Sequence, residues 1–522
     1  MFERDKHFSH LSELERELSF RTEMGLYYSY FKTIIEAPTF MDGLYRVRYD
    51  NITEFPDTIN VLKRFNLYPE VALGIAFRWY ESINKALDRR TKICWTVNRG
   101  EGKSPVPSCE GLGEPAYFCK KFVFLSVGPS VRYFKQCINF TGLGEPAYFY
   151  TESVFALNGI MMGVFFLFGT YLSGSIYGGI LTVAGFMYNH GECTRVQWTP
   201  PLRESFAYPF FVIEMFLVTH VIRLSRPTYI HSVFIAVAVI SFMLPWQFAQ
   251  FALMTQAVAV FGTYALGYIG SHKVKVIGTG LLSGLLVSYV LLFGNEMLLT
   301  SFFASCIVTV MAVQGVMLIV GTLGIKIALA NVLRVADDEH IGDIFRSKFS
   351  DYKNFHTMLY TCAAEFDFME TETPWKVLKT LLLPSVLISL GALGIKHIYH
   401  VFQLLAFTAM AVIIMRLKLF WTPHMALVSS LLASRQLFGW IGSREKHWAA
   451  VTVILAGMTY QGIQNLQHQW GIMGEFSNYP LEDLVEWIKE TTPKNAVFAG
   501  PNAYHGHRKA VYKSSNSKPS PL

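Results

Sequence analysis

Residues 20–31, FRTEMGLYYSYF, set one carboxylate, Glu23, among five aromatic side chains and one arginine. An apolar stripe at Phe20, Met24, Tyr28, Phe31 and Ile35 recurs at helical spacing, Ser12-Glu-Leu-Glu15 has the form of a capping box, and Pro38 ends the run. Glu23 borders that stripe, with Tyr27 at i+4 and Tyr30 at i+7 on its own face. One reading makes it a solvated edge residue of an amphipathic helix lying on a membrane surface, loosely paired with Arg16 or Arg21. The other holds the carboxylate beside aromatic walls, where partial desolvation raises its pKa and suits it to act as a general base.

A second group lies in HGECTRVQWTPPLRES, residues 190–205, which offers His190, Glu192, Arg195, Trp198, Arg203 and Glu204 between two apolar runs. Pro200 and Pro201 suit the start of a helix, which puts Arg203 in a first turn where the helix dipole disfavours a cation. Either Glu204 compensates locally or an anion docks there, held by free backbone N–H groups and a guanidinium fork. A lipid phosphate is the natural anion. His190 and Glu192, two residues apart, are too few ligands for a metal, so no metal site is expected. In MRLKLFWTPHM, Arg416 and Lys418 either snorkel to headgroups or bind phosphate, and His424 is a further candidate. Glu365, Asp367 and Glu370 in TCAAEFDFME form an acidic cluster that reads either as a solvated loop face or as part of a site. Gln247 and Gln250 of PWQFAQ suit a helix interface, and Trp246 suits an aromatic belt.

The elements that carry these residues are set by composition. The chain has 522 residues, 52% hydrophobic and 16% charged, against roughly a quarter charged in soluble proteins. Its mean hydropathy is +0.31. Residues 151–330 hold twelve Asp, Glu, Lys or Arg, whereas residues 1–110 resemble a soluble segment. The fold class is therefore all-α and polytopic. A hydrophilic N-terminal segment spans 1–150, a transmembrane helical bundle 151–463 and a tail 464–522. Apolar runs of about 20 residues begin near 152, 174, 206, 229, 251, 276, 302, 377, 397, 422 and 448. The loops with Arg223 and Arg226, Lys273 and Lys275, and Arg444 and Lys446 read as cytoplasmic. The 190–205 loop, PWQFAQ, the N-terminal segment and the tail then share the lumen. The odd number of runs conflicts with both ends being luminal, and the long run at 302–329 reads as two spans fused. The net charge of +7 sits in short loops and the tail, so nucleic-acid binding is not expected.

GLGEPAYF occurs at 111–118 and again at 142–149, so 119–149 reads as an inserted duplication. No signal peptide or first span precedes residue 20, and the chain reads as a truncated or rearranged product. Seven cysteines show no metal spacing; Cys94 and Cys109 are placed to pair if their segment is translocated. Asn51 and Asn139 lie in glycosylation sequons that fit a luminal location.

HFSHLSELERELSFRTEMGLYYSYFKTIIEAP, FNLYPEV, TKICWTV, YNHGECTRVQWTPPLRESFAYPF, FMLPWQFAQF, YTCAAEFDFME, MRLKLFWTPHM, SRQLFGW and GEFSNYPLEDLVEWIK together closely resemble the dumpy-nineteen-like family of protein tryptophan C-mannosyltransferases, vertebrate members above all. The resemblance runs from about residue 7 to Gly500. It implies a multi-pass endoplasmic-reticulum membrane enzyme of the GT-C glycosyltransferase fold. Such an enzyme takes mannose from dolichyl-phosphate mannose to indole C2 of tryptophan in W-x-x-W motifs, commonly in thrombospondin-type repeats. It implies inversion at the anomeric carbon and no metal or cofactor. The family's acidic catalytic residue falls on Glu23, and the donor phosphate on Arg195 and Arg203, with Arg416 as a further candidate. The missing first span, the insertion, segments absent near 313–315 and 396–397, and the unfamiliar tail after Gly500 imply that this exact chain is inactive or unstable. A structural protein of the inner nuclear membrane is the other role the resemblance implies.

Overall fold

The computed structural model describes residues 13–20, 23–54, 56–89, 91–97, 105–110, 143–312, 321–322, 324–328, 346, 348–350, 364–392, 397–472 and 479–493. An N-terminal layer holds α1 (Glu13–Leu18), α2 (Glu23–Glu36), α3 (Phe40–Arg48), α4 (Val61–Phe65), α5 (Tyr68–Ala86), β1 (Ile93–Val97) and β2 (Val106–Glu110). The bundle continues with α6 (Pro146–Ser173), α7 (Ile176–Tyr188), α8 (His190–Cys193), α9 (Arg203–Arg223), α10 (Tyr229–Met243), α11 (Ala249–Ala265), α12 (Ser271–Leu291), α13 (Glu296–Leu299) and α14 (Phe302–Ala312). After it come α15 (Glu372–Lys379), α16 (Leu382–Gly391), α17 (Ile398–Ile413), α18 (Lys418–Ser429), α19 (Arg444–Gly471) and α20 (Tyr479–Thr491).

Every apolar run read from the sequence contains a helix. By length and composition α6, α9 and α12 are long and apolar enough to cross a membrane, while α7, α10, α16 and α17 are apolar but shorter. The run at 302–329 holds α14, and the point where two spans were expected to merge lies outside the described residues. Within the bundle a polar chain ties α9, α11 and α17: Gln256 donates to Glu214 at 2.5 Å and to Tyr399 at 3.2 Å, and Gln403 donates to Thr255 at 3.0 Å. Hydrogen bonds across apolar helices act as glue where lipid gives no hydrophobic drive. The α6–α7 turn is drawn tight by glycines. A Cβ at Gly169, Gly178 or Gly179 would meet a backbone oxygen of the facing helix at 2.6–2.9 Å.

Three features add to the expectations. The helical fold carries one antiparallel strand pair, β1 and β2, favoured by the β-branched and aromatic content of ICWTV. Its register sets Cys94 opposite Cys109, and Cys94 is disulfide-bonded. Second, α2 has more than a single apolar stripe. Phe20, Met24, Tyr28 and Phe31 pack against α5 and α6, while Tyr27, Tyr30 and Ile34 pack against α3 and α4, so both faces are buried. Arg16, one proposed partner of Glu23, is itself buried over the Tyr148 ring, and Arg21 lies outside the described residues. Third, the second GLGEPAYF copy is part of the fold. Pro146 opens α6, Phe149 packs on Phe77, and Tyr150 donates to Glu70 at 2.6 Å; the first copy lies outside the described residues.

The N-terminal layer sits on one end of the bundle. Asn66 reaches the Met243 carbonyl at 3.2 Å, Asn295 reaches the Lys63 carbonyl at 3.4 Å, and Tyr68 donates to the Leu291 carbonyl. The 190–202 loop, Trp246, the Glu365 turn and Arg416 share this end. At the opposite end Arg223 and Lys273 donate to helix-terminal carbonyls.

Candidate active site

Two arginine–carboxylate clusters form where the N-terminal layer meets the bundle. In the first, Arg203 opens α9 and is buried, as is Glu70 in the first turn of α5. Arg203 Nη1 donates to Glu70 Oε2 at 2.8 Å, and Nη2 donates to Oε1. Its guanidinium stacks 3.8 Å from the Tyr27 ring centroid. The anion expected at this helix start is thus an internal carboxylate, and both terminal nitrogens of Arg203 are engaged by it. Glu204 does not compensate locally; it turns to the second cluster.

There, Arg195 from the 190–202 loop and Arg416 from the turn Met415–Leu417 meet across Glu365. Arg195 Nη1 donates to Glu365 Oε2 at 2.5 Å, and Arg416 Nη1 donates to Oε1 at 3.2 Å. Arg416 Nη2 holds both Glu204 oxygens at 3.1 and 3.2 Å. Burial opposes the charge of Arg416, but Glu204, then Glu365, then Glu23 outweigh it and raise its pKa. Glu23 therefore lies in the field of this cluster, although it comes from the far N-terminal part of the chain.

Glu23 begins α2 and is exposed. The expected enclosure by aromatic walls is partial: Tyr27 donates to Glu23 Oε2 at 3.1 Å, while the residue stays exposed. Burial first, and Glu23 second, push the Tyr27 phenol above its usual range, so it stays a donor. Tyr27 also joins the clusters, since its ring carries Arg203 while its hydroxyl holds Glu23.

A narrow groove opens beside Arg195 and Glu204, walled by Met161, Phe186, Tyr208, Trp246 and Phe420. A second, wider space continues between α6 and α7, lined by Phe155, Asn158, Gly159, Met162, Met187 and His190. The two share Asn158, Met161, Phe186, Thr194 and Val196. A charged mouth leading into an apolar, helix-walled trough suits an amphiphile with an anionic head.

The other candidates fall around this centre. Burial lowers His190 to about 4, so its imidazole is neutral near pH 7 and leaves anion binding to the arginines. Glu192 pairs with Lys418 at 2.6 Å and Lys376 at 3.5 Å. Trp198 is exposed on the loop. Asp367 faces outward, its side chain toward Lys348 at 3.4 Å, and its carbonyl accepts from Met415 N–H at 2.9 Å. His424 is not brought to the site: it is buried in α18 between His400 and Phe407, six residues deeper than Lys418. Asn51 is exposed, and Asn139 lies outside the described residues. Among the described residues no group of three or more His, Cys, Asp or Glu is arranged to hold a metal. The sequence reading missed Glu70; its signal was an acidic residue in the first turn of the apolar run YPEVALGIAF.

The family model described as "Dpy19: Q-cell neuroblast polarisation" matches residues 1–317, 308–398 and 393–509. The chain is 48% identical to the protein C-mannosyl-transferase DPY19L1 of Rattus norvegicus, over 96% of this chain and 69% of the relative. It is 42% identical to the probable C-mannosyltransferase DPY19L2 of Homo sapiens, over 96% and 68% respectively. The C-mannosyltransferase dpy-19 of Caenorhabditis elegans is 39% identical over 96% of this chain and 74% of the relative. Among solved structures, the archaeal oligosaccharyltransferase AglB of Archaeoglobus fulgidus, in complex with an inhibitory peptide and a dolichol-phosphate, superposes with a TM-score of 0.53. That match covers 90% of this chain and 54% of that one at 12% identity, and so speaks to the fold. The chain belongs to the Dpy19 family of C-mannosyltransferases, multi-pass membrane glycosyltransferases with a GT-C-like helical bundle.

Proposed function

We propose that this chain moves mannose from dolichyl-phosphate mannose to indole C2 of tryptophan in W-x-x-W segments, in the lumen of the endoplasmic reticulum. The observation that carries the reading is the convergence of Arg195 and Arg416 on one carboxylate beside an apolar groove that Arg195 lines, with Glu23 in the field of Arg416. The isoprenoid lies in the groove, and the arginines hold the phosphate as it leaves with the C–O bonding electrons. Indole C2 attacks the anomeric carbon from the opposite face, so the configuration inverts. Positive charge passes to the ring, and Glu23 takes the C2 proton, which restores aromaticity. An arriving acceptor covers the open side of Glu23 and supplies the desolvation that the free protein does not. In this reading the arginines neutralise the leaving group, and no metal or cofactor is invoked. The disulfide at Cys94 supports an oxidising compartment.

The departures from the family pattern leave Glu23, Arg195 and Arg416 together, so the chain itself is the object to test. Purified and given dolichyl-phosphate mannose and a W-x-x-W peptide, it should place one hexose on tryptophan, read by mass spectrometry. Hexose transfer that survives Glu23→Gln would remove the base. Dolichyl phosphate binding that survives both Arg195→Ala and Arg416→Ala would remove the phosphate site.

A further inference from the structure

Arg195 and Arg416 arrive from separate parts of the chain, and a single carboxylate fills the space between them. Glu365 gives one oxygen to each guanidinium, at 2.5 and 3.2 Å. One anionic group bridging two arginines through two oxygens is the pattern a phosphate makes. The two acids of the cluster differ in how they are held. Glu204 is on α9 with its side chain 7% exposed, whereas Glu365 is on a short turn, Ala364–Phe366, with its side chain 29% exposed. The backbone beside that turn is tied by Met415 N–H to the Asp367 carbonyl at 2.9 Å and by Met369 N–H to the Val412 carbonyl at 3.1 Å. The Glu365 side chain can therefore swing while its backbone stays.

We propose that Glu365 is an internal stand-in for the donor phosphate, holding the arginine pair in register and yielding its place when the lipid phosphate enters. The inference rests on the reading that Arg195 and Arg416 receive that phosphate. The exchange is matched in charge: a mannosyl phosphodiester carries one negative charge, as Glu365 does. The product, dolichyl monophosphate, carries up to two and binds the arginines more tightly. Return of Glu365 then competes with the product and helps it leave.

The test measures binding of dolichyl phosphate, inorganic phosphate and dolichol to the purified full chain and to Glu365→Gln, Glu365→Asp, Arg195→Ala and Arg416→Ala, each first checked for an unchanged melting transition. Glu365→Gln should tighten dolichyl phosphate and inorganic phosphate alike, by about threefold to tenfold, and leave dolichol unchanged. Glu365→Asp, which keeps the charge, should bind as the natural chain does. Weaker or unchanged phosphate binding by Glu365→Gln, while the arginine variants lose it, overturns the stand-in and leaves Glu365 as a brace for the arginines. Tightening of the lipid phosphate alone, or of dolichol, moves the effect to the tail and also overturns it. Unchanged phosphate binding in both arginine variants removes the underlying phosphate site instead.

Discussion

Arg203 and Arg416 are both arginines paired with glutamates at the same end of the bundle, yet they sit in opposite surroundings. Arg203 and Glu70 are 6% and 0% exposed, face each other two-pronged, and take an aromatic ring on one side and Tyr150 on the other. Such a pair is shut, with both terminal nitrogens of Arg203 engaged. Arg416 and Glu365 are 18% and 29% exposed and share their bonds with Arg195 and Glu204, which line a groove. Residue type does not separate the two pairs; burial and the number of free faces do. A buried pair loses heavily when halved, because the remaining charge has no water to fall back on. An open pair loses mainly what it would have bound.

That contrast can be broken at several points. The largest effect belongs to Glu23, which belongs to neither pair. Glu23→Gln should cut turnover by about 10²–10⁴-fold with the melting transition unmoved, and a change in stability instead would make it a structural residue. Glu70→Ala should lower unfolding free energy by about 3–5 kcal/mol, measured by denaturation in detergent; a mild loss there would erase the distinction between the pairs. Arg195→Ala, which frees only the half-open Glu365, should keep its stability and weaken dolichyl phosphate about tenfold to a hundredfold by direct binding.

A buried acid whose nearby cations, Arg16 and Lys92, do not outweigh burial gives the third member of the series. Burial first, and Glu13 second, push Glu145 up to about 7, from an ordinary value near 4.5. The folded state then holds a proton that the unfolded chain has released, so stability is lost as pH rises from about 4.5 to 7. Glu145→Gln should remove that slope and add roughly 1–3 kcal/mol at pH 7.4, seen in melting curves across pH. The smallest effect concerns the groove alone. Gly159 lines it and has open space where a Cβ would be. Gly159→Phe should raise donor KM by about tenfold while acceptor KM stays constant; equal changes in both would place the donor elsewhere.

Much of this was readable in the residues. Helical spacing of Phe20, Met24, Tyr28 and Phe31 marked α2, and apolar runs marked the bundle, because burial against neighbours imposes both patterns. The pattern did not reveal the second buried face of α2, since Tyr27 and Tyr30 are amphipathic and read equally well as exposed. Arg195, Glu365 and Arg416 could each be singled out as charges beside apolar runs, but their meeting is a property of helix packing across more than 200 positions. Arg203 shows the limit most clearly. Its place in a first turn called for an anion, and local logic could not tell a ligand from Glu70, which lies 133 positions away.

The glycine-locked turn between α6 and α7 has a bearing on which donors fit. The space lined by Phe155, Asn158 and Met187 lies between the same two helices away from that turn, and under the proposed function a polymer would enter it sideways from the bilayer without being threaded by its end. Only the units nearest the headgroup need lie between the helices, and the remainder stays dissolved in lipid. Discrimination among polyprenyl carriers should therefore depend on the first few isoprenes and ignore total length.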